Sequence, residues 1–302
     1  MAIAAGALFC VLSHPQAHAR CVVGPIAATN ISSLETPPVI SGRINNTPVS
    51  LIIDTGSDTT IITTDIAERI GLPPDPEHTS SLYGIHHTAT VRYPDAQISS
   101  FYIGPLKIQK RTIHTGFTSP PQAKADGIIG RDILSLLSMD IDYPDRQITL
   151  WGQAGCPDSF PTPIPWSFPY MRLHSPPVET TPTTQGFTIP ARINNTPLRA
   201  IIDTGATISV ISDNTLSKSA QKSLPTSGPE TYGPDGKLIP TSHTRLNDLS
   251  INMEPQPNIP VLVYPGNLPS HIDIIVGITP WLEKHRIWLD PLTQTYAIPE
   301  PE

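Results

Sequence analysis

The chain has 302 residues, a length typical of about two domains. Its net charge of −7 leaves no basic surface for phosphate groups, so a nucleic acid is not an expected partner. The 36 prolines exclude a helix bundle or a coiled coil, because proline breaks helix interiors, but they suit short strands joined by turns.

The first residues are typical of a secretory signal peptide. Residues 2–12 form an apolar stretch, and Ala17-His18-Ala19 is the small-residue pattern at which such peptides are cleaved. No lysine or arginine precedes the stretch, and a frayed terminus is the alternative. We expect residues 1–19 to be a signal peptide and the protein to be periplasmic or secreted. No apolar run is long enough for a membrane helix, so no stable membrane insertion is expected.

The cysteines raise the question of a disulfide bond. Cleavage after Ala19 removes Cys10 and leaves Cys21 and Cys156, which can pair in an oxidising compartment. Two free thiols are the alternative, because the sequence does not give the distance between them. No C-x-x-C pair occurs and the 10 histidines are scattered, so neither a metal nor another cofactor is expected.

The chain contains an internal repeat. Arg43-Ile44-Asn45-Asn46-Thr47-Pro48 recurs as Arg192-Ile193-Asn194-Asn195-Thr196-Pro197, and at the same spacing Ile52-Ile53-Asp54-Thr55-Gly56 recurs as Ile201-Ile202-Asp203-Thr204-Gly205. The sequence therefore predicts a tandem duplication. Its parts are a first unit in residues 20–151, a proline-rich linker in 152–184 and a second unit in 185–302.

Runs of β-branched residues predict strands in each unit. Asn45-Asn46 can take positive φ in a tight turn between the first two strands. Thr64 is predicted to be the N-cap of a short helix through Ile70, with Gly71 just after its end, and Ser212 to start the matching helix in the second unit. The predicted strands of the first unit cover residues 39–44, 49–53, 59–62, 97–103 and 147–151. Four aromatic residues in the linker indicate that part of it packs across the two units as a strand.

Asp54 and Asp203 each follow a run of aliphatic residues, so each is expected at the end of a buried strand. The glycine that ends each motif allows a turn and a close backbone approach. Two carboxylates about 3 Å apart cannot both ionise, and they share one proton. The ionised carboxylate can take a proton from water while the protonated one donates to a scissile carbonyl. This chemistry hydrolyses a peptide bond with no metal and no covalent intermediate.

These motifs resemble those of the aspartic peptidases of the retropepsin and pepsin type. Residues 127–134, with the sequence GIIGRDIL, resemble the segment of retroviral proteases that leads into a helix. The resemblance implies an all-β acid protease fold with short helices. In it, two fused retropepsin-like closed-barrel lobes, related by pseudo-two-fold symmetry, replace a homodimer, so a monomer is expected. The residues to which the resemblance assigns roles are the catalytic Asp54 and Asp203; the supports of this dyad Thr55, Gly56, Ser57, Thr204, Gly205 and Ala206; and the substrate-covering flap positions Tyr83, Gly84, Tyr232 and Gly233.

The two copies also differ. Ser57 in the first motif corresponds to Ala206 in the second, so the carboxylates have unequal environments and the sequence does not say which is the acid. Ile278 stands where the first lobe has Arg131, so we expect the second lobe to be less tightly braced.

The function that these motifs favour is an aspartic endopeptidase that cleaves extended polypeptides. The alternative is a non-catalytic module that keeps the cleft and binds peptides by strand pairing. An inactive descendant usually loses an aspartate or its glycine, and both motifs are intact here.

Overall fold

More than half of the residues that the structure describes lie in β-strands, and its helices are short. The structure is a computed structural model. It describes residues 22–83, 89–109, 112–119, 123–154, 170–174, 187–219, 226–227, 231–232, 238–239, 241–268, 272–293 and 295–299.

In the first half of the chain, the described residues form twelve strands and two short helices. They are β1 (Val22–Asn30), β2 (Val39–Ile44), β3 (Thr47–Ile53), β4 (Ile61–Thr63), α1 (Thr64–Arg69), β5 (Pro74–Tyr83), β6 (Ala89–Gln97), β7 (Phe101–Ile103), β8 (Leu106–Ile108), β9 (Thr112–Phe117), β10 (Gly127–Ile129), α2 (Arg131–Leu134), β11 (Ser138–Asp142) and β12 (Gln147–Ala154).

In its described residues, the second half follows a similar order, with an extra two-stranded pair and a 3-10 helix in place of α2. It comprises β13 (Tyr170–His174), β14 (Thr188–Ile193), β15 (Thr196–Ile202), β16 (Val210–Ser212), α3 (Asp213–Lys218), β17 (Thr226–Ser227), β18 (Thr231–Tyr232), β19 (Leu238–Ile239), β20 (Ser242–Leu246), β21 (Leu249–Ile251), β22 (Glu254–Gln256), β23 (Ile259–Tyr264), β24 (Ile274–Val276), a 3-10 helix (Leu282–Lys284), β25 (Arg286–Asp290) and β26 (Thr295–Pro299).

Each lobe is built on a nine-stranded sheet with the same strand order. In lobe 1 the order is β5-β6-β9-β4-β10-β3-β2-β7-β8, and in lobe 2 it is β17-β20-β23-β16-β24-β15-β14-β21-β22. The strand before each Asp-Thr-Gly motif therefore occupies the same place in both sheets. The last residues of these strands, Ile53 and Ile202, are fully buried in one apolar core that extends through both lobes.

A six-stranded sheet joins the lobes, in the order β1-β12-β11-β25-β26-β13. Three strands come from each half, and β11 pairs antiparallel with β25 at the centre. There Asp140 lies opposite Trp288, and each is the third residue of its strand. Strand β13 comes from the proline-rich linker and pairs with β26, which confirms that part of the linker packs as a strand.

The local predictions hold with shifts at the element ends. Asn45 and Asn46 take φ values of 46° and 69°, as the predicted tight turn requires. Ser212 caps α3 by accepting a hydrogen bond from the Thr215 amide. The cap of α1 is Thr63 and not Thr64, because Thr63 is still extended and its hydroxyl accepts from the Ile66 amide.

The strand predicted over residues 97–103 is wrong as a single element. Strand β6 ends at Gln97 and β7 begins at Phe101. The Asn45 side chain accepts hydrogen bonds from the Ser99 and Ser100 amides, at 2.7 Å and 3.1 Å, and so holds the break between the strands.

Candidate active site

The two aspartates lie where two buried strands end. Strand β3 pairs in parallel with β10, and β15 pairs in parallel with β24. The Asp54 amide donates to Ile129 O at 3.1 Å, and the Asp203 amide donates to Val276 O at 3.0 Å. These bonds extend the parallel pairing by one step in each lobe, so both aspartates are held by the ends of core strands. Both are partly exposed.

Backbone amides fix the orientation of each carboxyl group. Asp54 Oδ1 accepts from the Gly56 and Ser57 amides, both at 2.9 Å. Asp203 Oδ1 accepts from the Gly205 and Ala206 amides, at 2.8 Å and 3.1 Å. The two carboxyl groups also adjoin each other, since each shifts the pKa of the other. The sequence-predicted aspartates therefore form one pair across the two lobes.

The glycines of both motifs are required by close contact between the lobes. A Cβ on Gly56 would lie 2.3 Å from the carboxyl carbon of Asp203, and one on Gly205 would lie 2.4 Å from that of Asp54. Any side chain at either glycine would displace the opposite carboxyl group. Each lobe thus supplies one carboxyl group and the bare backbone against which the other one rests.

The threonines of the motifs link the lobes under the carboxyl pair. Thr55 Oγ1 donates to Ile202 O at 2.8 Å and accepts from the Thr204 amide at 3.0 Å. Symmetrically, Thr204 Oγ1 donates to Ile53 O at 2.6 Å and accepts from the Thr55 amide at 3.2 Å. Both threonines are fully buried. Four hydrogen bonds in a dry environment therefore hold the two aspartate loops in a fixed relation.

The two carboxyl groups have different proton affinities. Burial raises the pKa of Asp54 well above its usual value, and the charge of Asp203 raises it further, against the amides of Ser57 and Gly56. Burial also raises the pKa of Asp203, but the Gly205 amide and the hydrogen bond from Asp54 lower it. The pKa of Asp54 is therefore the more strongly raised of the two.

The sequence matches one family model in both lobes. A model of the family described as aspartyl protease matches residues 40–133 and 189–279, which together make up more than half of the chain. The chain belongs to the aspartyl protease family. The two matched segments correspond to the two lobes, which confirms the predicted tandem of retropepsin-like units.

Solved structures of aspartic proteases share this fold. The aspartic proteinase from Irpex lacteus is 16% identical, with a TM-score of 0.50, and the alignment covers 93% of this chain and 98% of that chain. A retropepsin-like aspartic protease from Rickettsia conorii is 20% identical, with a TM-score of 0.33, over 45% of this chain and 96% of that chain. No curated protein sequence matches.

In lobe 1 of this aspartyl protease, an arginine supports the loop that carries Asp54. Arg131 forms an ion pair with Asp58, and its Nη1 lies 3.4 Å from Gly56 O and 3.5 Å from Thr55 O. Sequence reasoning identified Arg131 but missed Asp58. Its place in the sequence, two residues after the first Asp-Thr-Gly motif, could have indicated Asp58, because this loop lies within reach of the segment that follows Gly130.

In lobe 2, the loop that carries Asp203 is held without an ion pair like that of Arg131 and Asp58. Ile278, which replaces the arginine, is fully buried. Its neighbour Thr279 donates to Thr207 O through both its amide and its hydroxyl, at 2.9 Å and 2.8 Å. The Ser209 hydroxyl donates to Thr279 O at 3.2 Å. Backbone and hydroxyl hydrogen bonds therefore take the place of the ion pair.

The flap positions lie at the ends of two hairpins. Tyr83 is the last residue of β5 and pairs with Ala89 of β6, while Tyr232 of β18 pairs with Leu238 of β19. Gly84, Gly233, Cys21 and Cys156 lie outside the described residues, so the predicted flap tips and disulfide stay predictions.

In the described part of the chain, no helix has the length and apolar character needed to cross a membrane. The same residues contain no group of three or more His, Cys, Asp or Glu side chains arranged to hold a metal ion.

Proposed function

We propose that this aspartyl protease is an endopeptidase in which Asp54 and Asp203 activate a water molecule against an extended polypeptide. The observation that carries the proposal is the carboxyl pair, in which each member has two backbone amides on its Oδ1 and lies against the glycine of the other motif. Such a pair supplies a base and an acid at one place, which is what hydrolysis by activated water requires.

The order of proton affinities gives each aspartate a role. Ionised Asp203 takes a proton from the water molecule, and the water oxygen attacks the scissile carbonyl carbon. Asp54 donates its proton to the carbonyl oxygen, which gives a tetrahedral diol. When the carbon–nitrogen bond breaks, the amine leaves with the proton that Asp203 accepted, and Asp54 recovers its own from the second hydroxyl. The dyad thereby returns to its starting state.

We further propose that the enzyme works as a single chain, because each half contributes one aspartate and one threonine of the central network. The hairpins that carry Tyr83 and Tyr232 are proposed to close over the substrate. Export and removal of residues 1–19 are part of the same proposal.

The test is cleavage of an unfolded protein between pH 3 and 7 by the wild type and by Asp54→Asn and Asp203→Asn. Each single variant should lose activity by at least about 10²–10⁴-fold, since neither retains both an acid and a base. The double variant should be no worse than the singles, because the pair acts as one unit. Asp213→Asn, at an exposed aspartate of α3, is the matched control and should cleave normally.

A folded wild type that cleaves nothing at any of these pH values would contradict the enzyme proposal. If that protein still bound a peptidic transition-state mimic, it would support the peptide-binding alternative.

A further inference from the structure

The two sides of the carboxyl pair differ in charge. On the lobe 1 side, the Arg131 guanidinium is largely buried, with 13% of its side chain exposed, and lies 3.4 Å from Gly56 O. Gly56 in turn rests against the carboxyl group of Asp203, where a Cβ would lie 2.3 Å from it. A buried cation is therefore separated from Asp203 by a single glycine backbone.

The matching position beside Asp54 holds no charge. Gly205 rests against the Asp54 carboxyl group as Gly56 rests against that of Asp203. The residue that corresponds to Arg131 there is Ile278, which is fully buried, and the residue that corresponds to Asp58 is Thr207. Thr207 provides a backbone carbonyl, which accepts from Thr279. The pseudo-two-fold symmetry of the site is thus broken by one guanidinium group.

The difference between Ser57 and Ala206 does not oppose this effect. Ser57 is a hydroxyl residue next to the Asp54 loop, but its Oγ donates to Thr59 O at 3.0 Å. Its proton is used there and does not stabilise a negative charge on Asp54, which accepts only the Ser57 backbone amide in this contact. This hydroxyl therefore does not favour ionisation of Asp54, and the Arg131 charge, which acts on both carboxyl groups, acts more strongly on Asp203.

We propose that Arg131 is a positioning residue that holds the negative charge of the dyad on Asp203, and so makes Asp203 the base and Asp54 the acid. The roles of acid and base rest on the proposed function, but the location of the negative charge is a property of the resting protein. Arg131 acts through the field of its guanidinium across Gly56 and touches no reacting atom.

The other ionisable groups near this site do not reverse the effect. Asp58, the ion-pair partner of Arg131, is 62% exposed, so water screens its charge more than that of the buried guanidinium. Asp132 is engaged by Thr60, whose amide and hydroxyl both donate to it at 2.7 Å. Burial raises the pKa of Tyr143, with a further contribution from Asp203, so this phenol stays neutral. The Arg131 charge itself lowers the pKa of Asp203.

The experiment is a carbon-13 NMR titration of the aspartate carboxyl groups in two variants, each with one dyad member left. Of the two dyad members, only Asp203 remains to titrate in Asp54→Asn, and only Asp54 remains in Asp203→Asn. We expect Asp203 to titrate roughly half to one pH unit below Asp54, since an opposite charge nearby lowers a carboxyl pKa by about 1–3 units and Asp58 offsets part of this. Adding Arg131→Gln should close the gap, and Arg131→Lys should keep most of it.

The pH profile of cleavage gives an independent readout. Arg131→Gln in the otherwise wild-type chain should move the acid limb of kcat/KM upward by a similar amount, because the dyad then ionises less readily. Asp58→Asn should move that limb downward, and it carries the test if Arg131→Gln does not fold.

Equal titration of the two lone aspartates, or a gap that survives Arg131→Gln, would overturn the inference. So would an Asp58→Asn profile that moves upward or not at all. If Arg131 had only a structural role, Arg131→Gln would lower the activity without moving the limbs of the pH profile. A wild type that cleaves nothing contradicts the proposed function alone, because the NMR titration needs no turnover.

Discussion

Replacing Thr204 with valine tests whether the threonine network holds the lobes together. Valine keeps the shape of threonine but removes the hydroxyl, which donates to Ile53 O at 2.6 Å and accepts from the Thr55 amide at 3.2 Å. Because Thr204 is fully buried, water cannot replace either partner. An unsatisfied buried polar group costs about 1–3 kcal/mol, so the two lost bonds should lower the free energy of unfolding by about 2–6 kcal/mol. Total stabilities of about 5–15 kcal/mol make this a large share.

Urea unfolding, followed by both fluorescence and circular dichroism, measures the effect. Thr204→Ser is the matched control, because it keeps the hydroxyl and loses one methyl group, worth about 1 kcal/mol. Thr55→Val should behave like Thr204→Val, since the network is symmetric. If the valine variant were no less stable than the serine variant, the hydrogen bonds would not be what holds the lobes.

Four further predictions follow from the site and the sequence. Gly205→Ala should fold but lose nearly all cleavage, because its Cβ would lie 2.4 Å from the Asp54 carboxyl carbon; full activity would contradict the contact. Burial raises the pKa of Asp54, so the native state keeps a proton that the unfolded chain releases; wild-type stability should therefore rise as the pH falls from 7 toward 4. This rise should be smaller in Asp54→Asn, as urea titrations at each pH would measure, and an equal rise would locate the shifted group elsewhere. The secreted protein should begin after Ala19 and gain two hydrogens in intact mass on reduction, if Cys21 and Cys156 pair; alkylation of both thiols without reduction would exclude the bond. Light scattering should give a single chain whose specific activity is constant on dilution, and a steep fall would indicate a dissociating dimer.

The sequence predicts the carboxyl pair well because the repeat carries two independent signals. Each Asp-Thr-Gly follows an aliphatic run, which places the aspartate at a strand end, and the matching spacing relates the copies by symmetry. The same local logic predicts the Asn45-Asn46 turn and the end of α1 before Gly71, whose φ is 64°. It does not choose between Thr63 and Thr64 as the cap, since both are threonines and the choice depends on how far β4 extends.

Long-range contacts account for what the sequence does not predict. The break after Gln97 is held by Asn45, far away in the chain, and no local pattern indicates it. The bracing of lobe 2 depends on where the Thr279 hydroxyl points, which the Ile278 substitution alone does not indicate. The Ser57 hydroxyl points toward Thr59 O and not toward Asp54, and residue type alone cannot give this direction.

At the centre of the sheet that joins the lobes, each half contributes residues that the other half needs. In a symmetric dimer of either half, the third residue of the central strand would face its own copy across the axis. Lobe 1 would then set Asp140 against Asp140, two like charges, and would lack Arg286, which here donates to both Asp140 oxygens at 2.9 Å and 2.6 Å. Lobe 2 would set Trp288 against Trp288. The bidentate contact of Arg286 with Asp140 therefore exists only between unlike halves, and it makes the central strand pair specific for one copy of each lobe.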